Sequence, residues 1–165
     1  FPGLGEYAVL MPGAARGASK MWPLEHFEEL ALRIISATDL RVVFAGGPGD
    51  AAACETLASK LGDRAENMAG KTSLKEWAAL LEKANVAVAN DSGGMHLAAA
   101  VGTPIVGVYG VTDPAKTGPL ARRFRVVQNS EVKARDISRD SELAKKALAS
   151  IAPEQVMAAV QELLA

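Results

Sequence analysis

The segment Asn90-Asp91-Ser92-Gly93-Gly94-Met95-His96 gathers the side chains of this sequence best suited to hold an anionic or hydroxylated ligand. Gly93 and Gly94 let the backbone approach a ligand closely. A helix starting there offers unpaired N–H groups and the positive end of its dipole, which suits a phosphate. Ser92 adds a hydroxyl donor. Asp91 would repel a phosphate that it faced, so it either caps the helix or accepts hydrogen bonds from a sugar hydroxyl. The plain alternative is a tight turn with an Asp or Ser cap.

Nucleophilic serine chemistry does not fit this segment. Asp-Ser-Gly-Gly also flanks the reactive serine of trypsin-like proteases, but those are all-β and need a His and an Asp from elsewhere. Here the histidines are His26, on a predicted helix, and His96, inside the segment itself. Asn90 stands where the Gly-x-Ser-x-Gly elbow of the α/β-hydrolases has its first Gly. No Gly-x-Gly-x-x-Gly follows the first predicted strand, which argues against a dinucleotide-binding dehydrogenase. Gly70-Lys71-Thr72 is only the end of a P-loop, with Ala65 where that loop has its first Gly.

Other loops carry candidate charges. The small-residue stretch between Pro12 and Pro23 holds Arg16 and Lys20 just before a helix start. Lys20 is either a point charge for a diphosphate or a solvated surface lysine. Trp22 reads as a packing anchor and His26 as an exposed helix residue. In the turn Gly47-Pro48-Gly49-Asp50, Asp50 either caps the next helix or contacts a ribose.

The elements that must position these residues alternate regularly. Tyr7–Met11, Val42–Ala45, Val86–Ala89, Ile105–Tyr109 and Arg125–Val127 read as strands. Between them lie helices with one apolar face: one opened by Pro23 with Phe27, Leu30 and Ile34, one with Leu57 and Leu61, and one capped by Ser73 and Glu76 with Trp77, Leu80 and Leu81. A short helix covers Met95 to Val101, and Pro153 opens a closing one with Val156, Val160, Leu163 and Leu164. The stretch from Asn129 to Glu142 is a loop or a frayed helix. Continuous apolar strands alternating with helices mean an α/β fold with a parallel sheet covered on both faces. In such sheets ligands bind beyond the carboxyl ends of the strands. That rule selects the loops after Met11, Ala45, Asn90 and Tyr109.

Composition sets the outer limits. A chain of 165 residues suits one domain, 1–165. With 49% hydrophobic and 22% charged residues it has the balance of a soluble globular protein. A net charge of −1 gives no global attraction to nucleic acid or anionic membrane. The lone Cys54 excludes an intrachain disulfide and a paired-cysteine zinc site, and fits a reducing compartment. No metal or cofactor is expected. Apolar runs such as Ala98 to Val101 are far too short to span a membrane, and no signal peptide is visible. The chain opens Phe1-Pro2-Gly3 without an initiating Met, so it is expected to be a piece of a longer protein.

Five blocks occur in order: Pro12-Gly13-Ala14, Lys20-Met21-Trp22-Pro23, Gly70-Lys71-Thr72-Ser73-Leu74, Asn90 to His96, and Tyr109-Gly110-Val111-Thr112-Asp113-Pro114. Together they resemble the C-terminal domain of the ADP-heptose:lipopolysaccharide heptosyltransferases, glycosyltransferase family 9, and the type II enzymes most. The resemblance covers nearly the whole chain. It implies a Rossmann-like parallel sheet flanked by helices, the donor-binding C-terminal half of a GT-B enzyme whose N-terminal acceptor domain is absent from this chain. It implies inverting transfer of heptose from ADP-heptose to the lipopolysaccharide inner core, in the cytoplasm or peripherally at the inner face of the bacterial inner membrane.

By position, the resemblance gives Lys20 the charge building on the departing diphosphate, and Asp91 the heptose or its near phosphate. Ser92, Gly93 and Gly94 would hold the diphosphate with His96 close by, Thr72 would line the adenosine pocket, and Asp50 would lie near the ribose. The general base is expected in the absent domain. The chain departs from the family around Ala134-Arg135-Asp136 and from Ser141 to Ala147, where relatives often carry cysteines. The competing readings are another GT-B transferase using a UDP- or GDP-sugar, and a non-catalytic nucleotide-binding module.

Overall fold

The computed structural model describes residues 3–14, 20–129 and 142–165. Strands β1 (Tyr7–Met11), β2 (Arg41–Phe44), β3 (Ala65–Asn67), β4 (Val86–Asn90), β5 (Ile105–Val108) and β6 (Phe124–Val127) form one sheet in the order β3-β2-β1-β4-β5-β6. Every neighbouring pair is parallel. The helices between and after them are α1 (Leu24–Ala37), α2 (Ala51–Leu61), α3 (Leu74–Glu82), α4 (Gly93–Ala100), α5 (Pro114–Thr117), α6 (Glu142–Ala149) and α7 (Pro153–Leu164).

The continuous apolar strands are explained by two cores, one on each face of the sheet. Ala8, Leu10, Val42, Phe44, Val86, Val88, Val106 and Val108 face a core completed by α1, α2 and α7. The alternate residues, including Val9, Met11, Val43, Ala87 and Ala89, face a core completed by α3 and α4. Both parities of each central strand are therefore buried, which erases the alternation that a half-exposed strand would show.

The five predicted strands are present. β3 is an addition: it is a short edge strand reading Ala-Glu-Asn, with no apolar run to announce it. α5 and α6 also went unread; α6 begins at Glu142, where a loop or frayed helix was expected to end. The rest of that expected loop, residues 130–141, and the departure from the family at Ala134 to Asp136 lie outside the described residues.

The strand order fixes where a ligand can enter. The chain runs outward from β1 through β2 to β3, then returns to β4 on the other side of β1. The loops after β1 and β4 thus leave adjacent strand ends toward opposite faces, α1 on one and α4 on the other. This reversal opens a crevice at the carboxyl ends of β1 and β4.

Candidate functional site at the ends of β1 and β4

Lys20 and Asp91 meet across this crevice. The Lys20 Nζ donates to Asp91 Oδ2 at 2.7 Å, with the side chains 14% and 8% exposed. Of the two readings for Lys20, the solvated surface lysine is therefore not the one adopted. Asp91 is not a helix cap either: the N-cap of α4 is Ser92. Asp91 also acts on Tyr109, whose hydroxyl is pushed well above the usual phenol range by burial and then by the nearby Asp91.

Ser92 begins α4 in an extended conformation, and its side chain makes no cap hydrogen bond. Gly93 is exposed, and a Cβ added to it would meet nothing within 4 Å. The first turn of α4 is thus open toward solvent beside the Lys20–Asp91 pair. Gly94 differs. It is buried, and a Cβ there would come 2.7 Å from Met11 Sδ and 3.1 Å from the Trp77 ring. Its lack of a side chain lets α4 sit tightly on β1 and α3.

Asn90, the last residue of β4, is fully buried. Its Oδ1 accepts the Trp22 N–H at 3.0 Å. Its Nδ2 donates to Pro12 O at 2.8 Å and more weakly to Gly13 O at 3.4 Å. Trp22, also fully buried, donates from Nε1 to Ile151 O at 2.9 Å and packs edge-on against Phe27. It is the anchor expected of it. Arg16, the other cation of this loop, lies outside the described residues.

Asp50 sits at the N-cap position of α2 but makes no cap bond to that helix. Its carboxylate turns back to accept the Gly47 N–H at 2.8 Å. It fills the space above Gly13 and Gly46, where an added Cβ would lie 2.2 Å and 2.5 Å from its oxygens. Asp50 is thereby held at the carboxyl ends of β1 and β2, on the rim of the crevice. The same charge, after burial, pushes the Cys54 thiol up to about 12, which leaves it un-ionised and inert.

The remaining candidates are more dispersed. Thr72 is half-buried in the bend ahead of α3. His96 is exposed on α4 and lines a broad groove of about 750 Å3 with Lys116, Leu120, Arg122 and Phe124. His26, expected to be exposed, is half-buried: its ring packs edge-on against Trp22, and its Nδ1 is buried without a hydrogen-bond partner. On the other side of the Lys20–Asp91 pair lies a cavity of about 10 Å3, room for roughly one water. Gly110, Thr112 and Leu148 help to line it. Gln128 holds that wall by donating to Gly110 O at 2.6 Å and Thr112 O at 2.9 Å.

Sequence reasoning thus missed Asn90 and Gln128 as site-building residues. Asn90 had a signal, since a polar side chain closes an otherwise apolar strand that must be buried on both faces. Gln128 had none. Among the described residues no cluster of His, Cys, Asp and Glu could hold a metal ion, and no helix is long and apolar enough to cross a membrane.

Comparison with known proteins gives a consistent result. A model of glycosyltransferase family 9 (heptosyltransferase) matches residues 3–147. Lipooligosaccharide heptosyltransferase 2 of Haemophilus influenzae is 33% identical, over 98% of this chain and 49% of that protein. Lipopolysaccharide heptosyltransferase 2 of Escherichia coli is 37% identical over 71% of this chain and 34% of that protein. Among solved structures, the E. coli ADP-heptose lipopolysaccharide heptosyltransferase II superposes with a TM-score of 0.83 at 31% identity, over 96% of this chain and 46% of that one. An E. coli heptosyltransferase solved with ADP gives 0.80 at 27% identity, over 97% and 45%. The chain spans about half the length of its full-coverage relatives.

Proposed function

We propose, from the premise that this chain belongs to glycosyltransferase family 9, the heptosyltransferase family, that it is the donor-binding half of a GT-B transferase. The donor is ADP-heptose, and transfer with inversion reaches the lipopolysaccharide inner core through an N-terminal acceptor domain that also carries the general base. The enzyme works at the cytoplasmic face of the inner membrane as a peripheral protein.

One observation carries this reading: a half-buried lysine stands on the buried Asp91, immediately before the open first turn of a helix. Breaking a glycosyl–phosphate bond leaves negative charge on the departing ADP. A cation and fixed N–H groups aimed at that charge lower the barrier without reorganising. Lys20 supplies the cation, and the Ser92 hydroxyl with the N–H groups of Gly93 and Gly94 supplies the fixed donors. Asp91 holds Lys20 until the donor binds and turns to the heptose or its near phosphate as the diphosphate takes over the ammonium. Asp50 meets the ribose, Thr72 lines the adenosine pocket, and His96 faces the sugar side from the next turn of α4.

Calorimetry on this chain with ADP, UDP and GDP tests the reading. ADP is expected to bind weakly and best, Lys20→Ala to abolish the heat, and no heptose transfer to occur without the other domain. A preference for UDP or GDP would favour a different GT-B donor. Failure of all three nucleotides, with Lys20→Ala changing nothing, would leave a non-catalytic module.

A further inference from the structure

Lys20 reaches Asp91 from the end of a loop that must itself be held in place. That loop leaves β1 at Pro12 and leads through Trp22 and Pro23 into α1. Both of its ends bond to one side chain. Asn90 Nδ2 donates to Pro12 O and Gly13 O at the near end, while Asn90 Oδ1 accepts the Trp22 N–H at the far end. Asn90 is fully buried, and every other β4 residue is apolar. An apolar residue would satisfy the sheet equally well at that position. Burying an amide there is costly unless its groups are paired. Here the pairing is spent on the loop rather than on the sheet.

The consequence for Lys20 is geometric. Trp22 lies two residues after Lys20, and two residues span at most about 7 Å. Asp91 is the residue directly after Asn90. Fixing the Trp22 N–H on the Asn90 side chain therefore limits how far the Lys20 backbone can stray from Asp91. The carboxamide chemistry is specific: aspartate at this position keeps the acceptor but sets a negative charge against two carbonyl oxygens, and alanine loses both ends.

We infer that Asn90 is a positioning residue of the donor site: its side chain clamps both ends of the Pro12–Trp22 loop to the end of β4 and so holds Lys20 on Asp91. As a role in donor binding this rests on the function proposed above; as a clamp it stands on the hydrogen bonds alone.

The test reads Lys20 directly. The chain and its variants are pulsed with acetic anhydride, and acylation of Lys20 relative to the exposed Lys75 is measured by peptide mass spectrometry. Asp91→Asn sets the rate of an unpaired Lys20. Asn90→Ala and Asn90→Asp are expected to raise the Lys20 ratio about tenfold, toward that ceiling. Thr103→Val removes a buried hydrogen bond elsewhere, Thr103 Oγ1 to Leu81 O at 2.7 Å, and controls for general loosening. It is expected to leave the ratio at the wild-type value.

An unchanged ratio in the Asn90 variants overturns the inference, and so does an equal rise in Thr103→Val. In the wild-type chain, hydrogen exchange of the Trp22 amide is expected to be as slow as that of β4. Exchange at the rate of an open loop overturns the inference even if no Asn90 variant folds. With ADP as probe, Asn90→Ala is expected to bind about tenfold more weakly and Thr103→Val normally. If wild-type chain binds no ADP, the proposed function falls while the acylation and exchange results still decide the clamp.

Discussion

Two helices on the same face of the sheet begin with a serine, and they begin differently. At α3, Ser73 and Glu76 satisfy each other: the Ser73 hydroxyl accepts the Glu76 N–H at 3.4 Å, and the Glu76 carboxylate accepts the Ser73 N–H at 2.8 Å and the Ser73 hydroxyl at 2.7 Å. At α4, Ser92 makes no such bond, and no acid follows in the first turn. One helix end consumes its own unpaired donors, and the other keeps them. The closed end stabilises the fold. The open end sits at the reversal of strand order, beside the half-buried Lys20, where the diphosphate of the proposed donor would take the place of the missing cap.

The contrast is broken most severely at Lys20. In an enzyme carrying this chain, Lys20→Ala is expected to lower the transfer rate about 100- to 1000-fold. A single-turnover assay checks this, and a loss under threefold would mean that the open end works without its cation. Next is Gly94→Val, which drives a branched side chain into Met11 and Trp77. It is expected to cost about 1–3 kcal/mol in denaturant unfolding and to misplace the first turn of α4. Unchanged stability would show that the tight seating of α4 is dispensable.

A paired substitution sharpens the comparison further. Ser73→Ala is expected to cost about 1 kcal/mol of stability and leave ADP affinity alone. Ser92→Ala is expected to do the reverse, with little change in melting temperature and about fivefold weaker ADP binding. Matching behaviour of the two serines would erase the distinction. The smallest effect concerns pH. The Ser73 hydroxyl and then its N–H hold the Glu76 carboxyl below the usual glutamate range. A depressed folded pKa contributes stability that is complete above the unfolded value of about 4.3 and is lost as pH falls through the folded one. Glu76→Gln should therefore flatten the melting temperature profile in that acidic window and leave it unchanged in slope near neutrality.

The difference between the two ends also marks how far the sequence could be read. Ser73 and Glu76 are three residues apart, and their pairing follows from spacing alone. The Asp91–Lys20 pair joins residues 71 positions apart, so Asp91 read equally well as a cap or a sugar ligand until the strand order was known. Asp50 read as a cap or a ribose contact, and its inward turn depends on the missing side chains of Gly46, in its own turn, and Gly13, in the loop after β1. The strands buried on both faces announced themselves, whereas β3, short and polar at the sheet edge, carries no such pattern. Local periodicity thus located the loops that build the site, and only the packing showed which side chains meet.

The bond from the Trp22 indole to Ile151 O bears on how the protein is made. It joins residues 129 positions apart, so at translation rates of about 5–20 residues per second the partner leaves the ribosome roughly 6 to 26 seconds after the tryptophan does. During that interval a nascent chain can pair β1 with β2 and later with β4, but the Trp22 indole N–H still lacks its carbonyl partner. On the proposed function, the donor pocket is therefore finished only once Ile151, just ahead of α7, has been synthesised.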